Sequence, residues 1–484
     1  MRKFFIKRHV LFMALLLLCT FTSQAENDLT TTQITLNIKS GELQSEVESS
    51  GWQWNQITNL KLVGELNVDD LQFIRKMVGC YYNENGDKYD GHLQHLDIVN
   101  VDFVGNGSFK VYYGDANYHI AKFETSCIGD YLFSHLDGLQ TVVLPSCVNS
   151  IYYRAFNNCS GLVSVTMPEN LISIEDYAFS GCSELSSLML PKNLTYIGGH
   201  AFWGCDKLSS VKIPSRLTSI DATAFSSCDG LTSVMVDDAN PQYSSDGKVL
   251  FNKDKSKLIA AWVNNIKDYI VPASVSSIEK NAFYYNSSLT SLNASSGLTS
   301  VGNEAFYHCV NLTSIELSSE VTTIGMSAFV GCAKLTSFAF PSKLTFIGYA
   351  AFYGCNGLTT LFLPSSLNQI GSNAFRECNG LTSIYANMLT PAIITDCAFD
   401  ENIKTNTTLY IPKGTYQEYM AANCWKDFLK IKEVDPAGVE STYSTSDVKE
   451  ISRYTINGQH ITEPTTGLNI IKYSDGSFRK VIIQ

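Results

Sequence analysis

The chain has 484 residues, 45% of them apolar and only 17% charged, which is ample material for a core and fits one elongated domain with end modules. Its net charge is −11; the first 25 residues carry Arg2, Lys3, Lys7 and Arg8 and no acid, so the remainder stands near −15, against a nucleic-acid partner and in favour of solubility. Fourteen cysteines would suggest a disulfide framework in a small secreted protein, but here eight of them occupy one position of a repeat.

Residues 1–25 read as a secretory signal: a basic head, an apolar run from Val10 to Leu18, and Ser23-Gln24-Ala25 as a small-x-small cleavage site. Cys19 follows four leucines and invites a lipoprotein reading. Leu18 before it, however, is not the small residue that lipid processing prefers. No later apolar run is long enough to cross a membrane as a helix.

Residues 26–127 are expected to form a leader and an N-terminal cap of degenerate repeats. Gln33 to Ile38 alternates like a strand. Leu60-x-Leu62-x-Gly64-x-Leu66 precedes Val68 to Met77, where an Asp near the start predicts a short helix. Leu93-x-x-Leu96-x-Ile98 then gives the spacing LxxLxL. A solenoid needs such a cap to close its open end.

From 128 to 407 the chain repeats. An Ala-Phe pair places Phe at 156, 179, 202 and 225, then, after 58 residues, at 283, 306, 329, 352 and 375. Leu132-Phe133 is a variant start and Ala398-Phe399 arrives one residue late, making eleven Phe marks. Three residues after Phe comes Cys in eight copies, then Leu after three more, as in Cys159 and Leu162. Leu162-x-x-Val165-x-Met167 is the strand signature of a leucine-rich repeat. Alternation turns Val165 and Met167 inward and leaves Ser164 and Thr166 outside. Leu171, Ile174 and Ala178-Phe179 supply a second apolar edge to the same core.

The unit AFxxCxxLxSVxLPxxLxxIGxxAF resembles the BspA-like family of bacterial surface leucine-rich repeats, over roughly Ile128 to Phe399. The resemblance implies an α/β repeat solenoid of 23-residue coils, with a parallel β-sheet on one face and capped ends. It also implies a non-enzymatic surface protein, some members of that family being adhesins for host matrix proteins.

Cysteines of adjacent coils, about 4.8 Å apart, would point their Cβ vectors in parallel, which suits a disulfide poorly. No CxxC pairing recommends a metal, so a buried thiol ladder is expected. Cys127, Cys147, Cys397 and Cys424 lie off the ladder, where a bridge is open.

An insertion at about 237–272 carries Asn240-Pro241, Ser245-Asp246-Gly247, Val249-Leu250-Phe251 and Leu258 to Trp262 around a charged turn. This predicts a β-hairpin projecting from the stack. Asp237, Asp238, Asp246 and Asp254 lack calcium-loop spacing and read as turn residues. Residues 408–433 are predicted to be a C-terminal cap: a strand to Pro412, then a helix from Thr415 to Phe428 whose aromatics join the core. Residues 434–450 read as a linker. Residues 451–484 read as a small β-module broken at Asn457-Gly458, Thr466-Gly467 and Asp475-Gly476; they resemble the C-terminal sorting domains of type IX secretion cargo.

No catalytic set is found: the histidines are scattered, and HExxH, GxSxG and phosphate-loop patterns are missing. His92 and His95 flank a predicted strand without a third ligand. No cofactor, metal or enzymatic activity is expected. The outward positions of the strands should align in columns. The one before the central hydrophobe is nearly always Ser or Thr, as suits a stacked sheet. The one after it varies: Val143, Thr166, Met189, Lys212, Met235, Asn293, Glu316, Ala339, Phe362, Tyr385. The candidate binding face is therefore Met189, Lys212, Met235, Asn293, Glu316, Phe362 and Tyr385, with Phe362 and Tyr385 as an aromatic patch unless the C-terminal cap covers them. The function expected is an exported, surface-associated or secreted adhesin-like protein that binds host-matrix or neighbouring-cell proteins. The alternative is a surface glycan-binding component of nutrient capture.

Overall fold

The computed structural model describes residues 29–30, 32–79, 88–112, 117–294, 297–435 and 463, and the backbone of tail strands Glu450–Thr455, His460–Ile461, Gly467–Tyr473 and Phe478–Ile483. The signal at 1–25, Cys19, most of the linker and most of the tail's turns lie outside the described residues.

Most coils contribute two strands. The LxxLxL segment forms a front sheet whose strands pair in parallel, one period apart, as in Ser210–Ile213 with Ser233–Val236. The segment ending in Ile forms a second, narrower parallel sheet at the back, where Ile151, Ile174, Ile197 and Ile220 succeed one another in register. The parallel sheet expected on one face is present, and a second runs along the opposite face. The return path is too short for a helix, and β-compatible Ser-Ile or Thr-Ile pairs bond instead to the coil beside them. Helices are confined to the ends among the described residues: α1 (Leu43–Ser49), α2 (Val68–Val78), α3 (Glu401–Asn406) and α4 (Tyr416–Ala421).

Between the two sheets the Phe rings stack face to face, with centroids 4.8–5.4 Å apart in consecutive coils. All eleven are buried. Each such pair is worth about 1 kcal/mol beyond its buried area. The eight ladder cysteines are buried, free thiols. Each donates its S–H to the carbonyl of the Phe one coil earlier, at 2.9–3.4 Å, as Cys159 does to Phe133 and Cys205 to Phe179. In the coil of Phe283 the position is Asn286, whose Nδ2 donates to the Ala261 and Val263 carbonyls. The position thus selects a small buried donor that ties one coil to the last.

The front sheet is not continuous. At Leu335 to Phe340 no strand forms; there the central hydrophobe is Phe338, whose ring packs edge-on against Phe329 and Phe352. The coil of Met189 keeps only a single bridge, Ser164 to Ser187.

The insertion does not project. Tyr243–Ser245, Leu250–Asn252 and Lys257–Ala260 form an antiparallel meander, and the last strand pairs in parallel with Ser277–Ile278, so the meander continues the back sheet. Val249, Leu250, Phe251, Leu258 and Ala260 are buried, since an apolar hairpin gains more by filling a place in the stack than by leaving it. Its aspartates accept from their own turns: Asp246 from Lys248 and Val249 N–H, Asp254 from Ser256, and Asp237 from Ala239 N–H.

Both ends of the solenoid are closed. In α2, Asn67 and Asp70 make a reciprocal capping box. Arg75 on the same helix is buried and donates to Leu132 O at 2.9 Å and Ser134 O at 2.8 Å. In later coils the equivalent carbonyls receive N–H groups from the preceding coil, as Ala155 O does from Phe133 and Asn157 O from His135. The guanidinium replaces the two donors of a coil that does not exist. At the other end the predicted helix from Thr415 to Phe428 is divided into α4 and a 3₁₀ turn, Trp425–Asp427, separated at Ala422 to Cys424. Trp425 and Phe428 are buried over Phe399 and Tyr419 is buried against Trp425, whereas Tyr416 is exposed. A disulfide joins Cys397 to Cys424, Cα atoms 5.2 Å apart, pinning this lid to the last coil. The tail strands form a separate antiparallel sheet of four.

Candidate functional site

The variable column is real in register. Lys212 lies opposite Met235, Asn293 opposite Glu316, and Phe362 opposite Tyr385. Sheet pairing extends it to three residues that the column read from the sequence omits: Ile270 before Asn293, and Tyr410 and Lys432 after Tyr385. Counting one period back from Asn293 into the insertion would have found Ile270. Tyr410 and Lys432 fall 25 and 22 residues on, where the period slips at the cap.

Along this column the environment changes. At its centre Met189 is 82% exposed, Ile270 78% and Met235 47%, all large apolar groups in water. Lys212 between them forms an ion pair with Asp237 at 3.4 Å. A hollow of about 300 Å³ opens beside Met235, lined by Tyr243, Asp237 and Lys253. Further on, the Asn293 side-chain amide donates to the Glu316 carboxylate. Ala339 is exposed on the interrupted coil.

At the C-terminal end the rings stack. Phe362 and Tyr385 have centroids 4.8 Å apart at 14°, and Tyr385 and Tyr410 4.4 Å apart at 7°. The Lys432 ammonium lies 5.9 Å from the Tyr410 centroid, within cation–π range. Phe362, Tyr385 and Tyr410 are each half-buried. The cap does not cover them; each is partly shielded by the ring beside it. Both faces of Tyr385 are taken, so this residue presents its ring edge and hydroxyl to solvent. The Tyr385 hydroxyl is shifted above its ordinary range by burial and by Tyr410 beside it, so it stays a neutral donor.

The two isolated histidines are structural. His92 Nδ1 meets the Asn55 carbonyl at 2.8 Å, and His95 Nδ1 the Thr141 hydroxyl at 2.9 Å. The abundant Ser and Thr also have work inside the sheet: Thr232, Thr313 and Thr382 each donate to a carbonyl one coil back.

Two parallel ladders, one of LxxLxL strands at the front and one of short strands ending in Ile at the back, closed by an Ala-Phe loop and a thiol, define a leucine-rich-repeat solenoid. The chain belongs to the family described as BspA type leucine rich repeat region, whose model matches in six copies over residues 107–245, 261–382, 322–445 and 347–483. It is similar to solved structures of a leucine rich cell surface protein from Faecalibacterium prausnitzii (26% identity, covering 63% of this chain and 93% of that one, TM-score 0.39) and of the pneumococcal vaccine antigen PcpA (20%, 67% and 87%, 0.46). A leucine-rich repeat protein from Eubacterium ventriosum is similar as well (20%, 66% and 89%, 0.47). No curated protein matches the chain.

Proposed function

We propose that this is an exported surface protein that binds other proteins, as an adhesin does, through the outer column of its front sheet. The observation that carries the reading is the half-exposed stack of Phe362, Tyr385 and Tyr410 with Lys432 at its end, continuing a column on which Met189, Met235 and Ile270 stand in water. Aromatic and methionine side chains on a rigid sheet are the anchor types enriched at protein interfaces. Glu316, Asn293 and Lys212 supply polar groups along the same line.

The family is one of repeat proteins, which supports binding over catalysis. Export is supported by the signal-like residues 1–25 and by the Cys397–Cys424 disulfide, which forms in oxidising compartments. The four-stranded tail would serve as the sorting address of the type IX route. Among the described residues no helix is long and apolar enough to cross a membrane. Glycan capture has no comparable support, because a sugar packs on an open ring face and Tyr385 has neither face open.

The test is binding of the whole chain to an array of matrix and bacterial surface proteins, beside Phe362→Thr/Tyr385→Thr. Threonine suits the outer face of a strand, so melting should change little. Loss of two anchors of about 1–2 kcal/mol each should weaken a true ligand at least tenfold. Ligands that bind the variant as well as the parent would sink the assignment of the site.

A further inference from the structure

A second row of rings runs along the lateral edge, where the chain leaves the back sheet and enters the Ala-Phe loop. Its physical oddity lies in the backbone. In most coils the residues two before and two after the Phe are left-handed, and at these places glycine, asparagine and small residues are the cheap choices: Asn281, Ser327 and Asn373 before, Gly181, Gly331 and Gly354 after. Yet Tyr131, Arg154, Tyr177 and His200 stand at the first position with φ of 54–58°, and Tyr285 and His308 at the second with φ of 56°. Bulky side chains at positive φ are genuine outliers. None of these six is buried, so the core does not demand them. Strain kept for side chains outside the core points to a functional surface.

These residues form one ridge. Tyr177 stacks on His200 at 4.9 Å and Tyr285 on His308 at 4.8 Å, while the Arg154 guanidinium lies 5.0 Å from the Tyr177 ring centroid. Trp203 and Tyr284, 81 residues apart in sequence, meet at 6.1 Å and carry the ridge across the insertion, where the coil of Phe225 offers only Ser226 and Ser227. Stacking covers one face each of Tyr177, His200, Tyr285 and His308, so the ridge offers ring edges together with phenol, imidazole and indole polar groups, the His200 Nδ1 being already bonded to the Thr223 hydroxyl. Burial holds the His200 imidazole below its usual range, so it is a neutral ring at pH 7.

We propose that this ridge is a second binding surface, for an extended proline-rich polypeptide in polyproline II form lying along the solenoid axis. Three features fit that occupant. A polyproline II strand leaves all its carbonyls without internal partners, and a row of ring-borne donors meets them. Prolines seat between ring edges without needing an open face. The geometry is also commensurate: three residues of polyproline II advance about 9.3 Å, and two coils advance about 9.6 Å. Equivalent prolines would therefore meet equivalent coils at every turn. The surface differs from the front column, and neither proposal rests on the other.

The experiment titrates the full chain with a twelve-residue polyproline peptide and with a Gly/Ser peptide of equal length, following tryptophan fluorescence and calorimetric heat. Saturable binding of polyproline alone is expected; equal or no response to both would overturn the proposal. In Tyr177→Asn/His200→Gly/Tyr285→Gly the replacements favour the left-handed backbone, so melting should hold or rise while affinity drops more than tenfold. Affinity within twofold of the parent would overturn the proposal. Should that variant fail to fold, Tyr177→Phe/Tyr285→Phe/Tyr307→Phe, where the Tyr307 ring stacks on Tyr284 at 5.2 Å, keeps every ring and removes three hydroxyls: a fivefold or larger loss is expected, and an unchanged affinity refutes the site. Phe362→Thr/Tyr385→Thr should leave polyproline binding untouched, which keeps the two surfaces separable.

Discussion

At the scale of single residues, the repeated cysteine shows how a minor hydrogen bond becomes a structural rule. A thiol is small, apolar enough for a dry interior and able to donate once. Eight copies use that one donation on the Phe carbonyl of the neighbouring coil. Burial pushes the thiols of Cys182, Cys205, Cys309 and Cys355 well above their ordinary range, and those of Cys332 and Cys378 up to about 12. The reactive species is the thiolate, so iodoacetamide at pH 8 should leave all eight unmodified in the folded protein and modify all eight in guanidinium. Mass spectrometry of the modified chain decides it; modification of any ladder cysteine in the native state would contradict the burial. The sign for stability also follows. These groups are raised on folding, so their contribution is intact below the unfolded thiol pKa of about 8.5 and is lost as pH rises from there towards 12. Melting temperature should therefore fall progressively above pH 9.

At the scale of elements, the caps decide whether the stack can end. A solenoid sliced at any coil exposes rows of backbone groups that the next coil would have satisfied. The C-terminal lid covers Phe399 with Trp425 and Phe428, and the Trp425 indole donates to Ala392 O at 2.9 Å. The N-terminal cap uses α2, whose Arg75 imitates two missing amides. Arg75→Met keeps the volume of the stem and orphans both carbonyls, a cost of about 3 kcal/mol. Urea unfolding should show that loss, with amide exchange speeding first around Leu132 to His135. Arg75→Lys should recover less than half, since one ammonium cannot span both acceptors. An unchanged midpoint for Arg75→Met would mean that the cap is held by its apolar contacts alone.

At the scale of the whole molecule, stability is close to a sum of coil and neighbour terms, because the ladders connect each coil mainly to the ones beside it. Deleting residues 306–328 joins Ala305 to Phe329 and regenerates the Ala-Phe pair with every ladder in register. That chain should fold and melt within about 5 °C of the parent. Deleting 306–317, about half a period, sets inward residues against outward ones and should abolish a cooperative melt by circular dichroism. Equal behaviour of the two deletions would mean that the repeat is not the cooperative unit.

The repeat, its period and the side of each residue in the LxxLxL strand were legible in the sequence, because recurrence at 23 residues constrains every coil identically and alternation sets inside from outside. So was the variable column, since its members share a phase. What the sequence did not disclose are features that break the period or arise between distant segments. The second sheet at the back depends on backbone pairing that two-residue strands barely signal. The meander's place within the stack, the role of Arg75 and the Cys397–Cys424 bridge each join residues with no common phase. The same holds for the geometry of the surface: the sequence supplied Phe362 and Tyr385, but only stacking against Tyr410 determined that Tyr385 meets the solvent with its edge and not a face. Period determines local structure because each coil repeats the same local problem; tertiary structure decides the ends, the insertion and the exposed rings, because there the neighbour is not another copy of the coil.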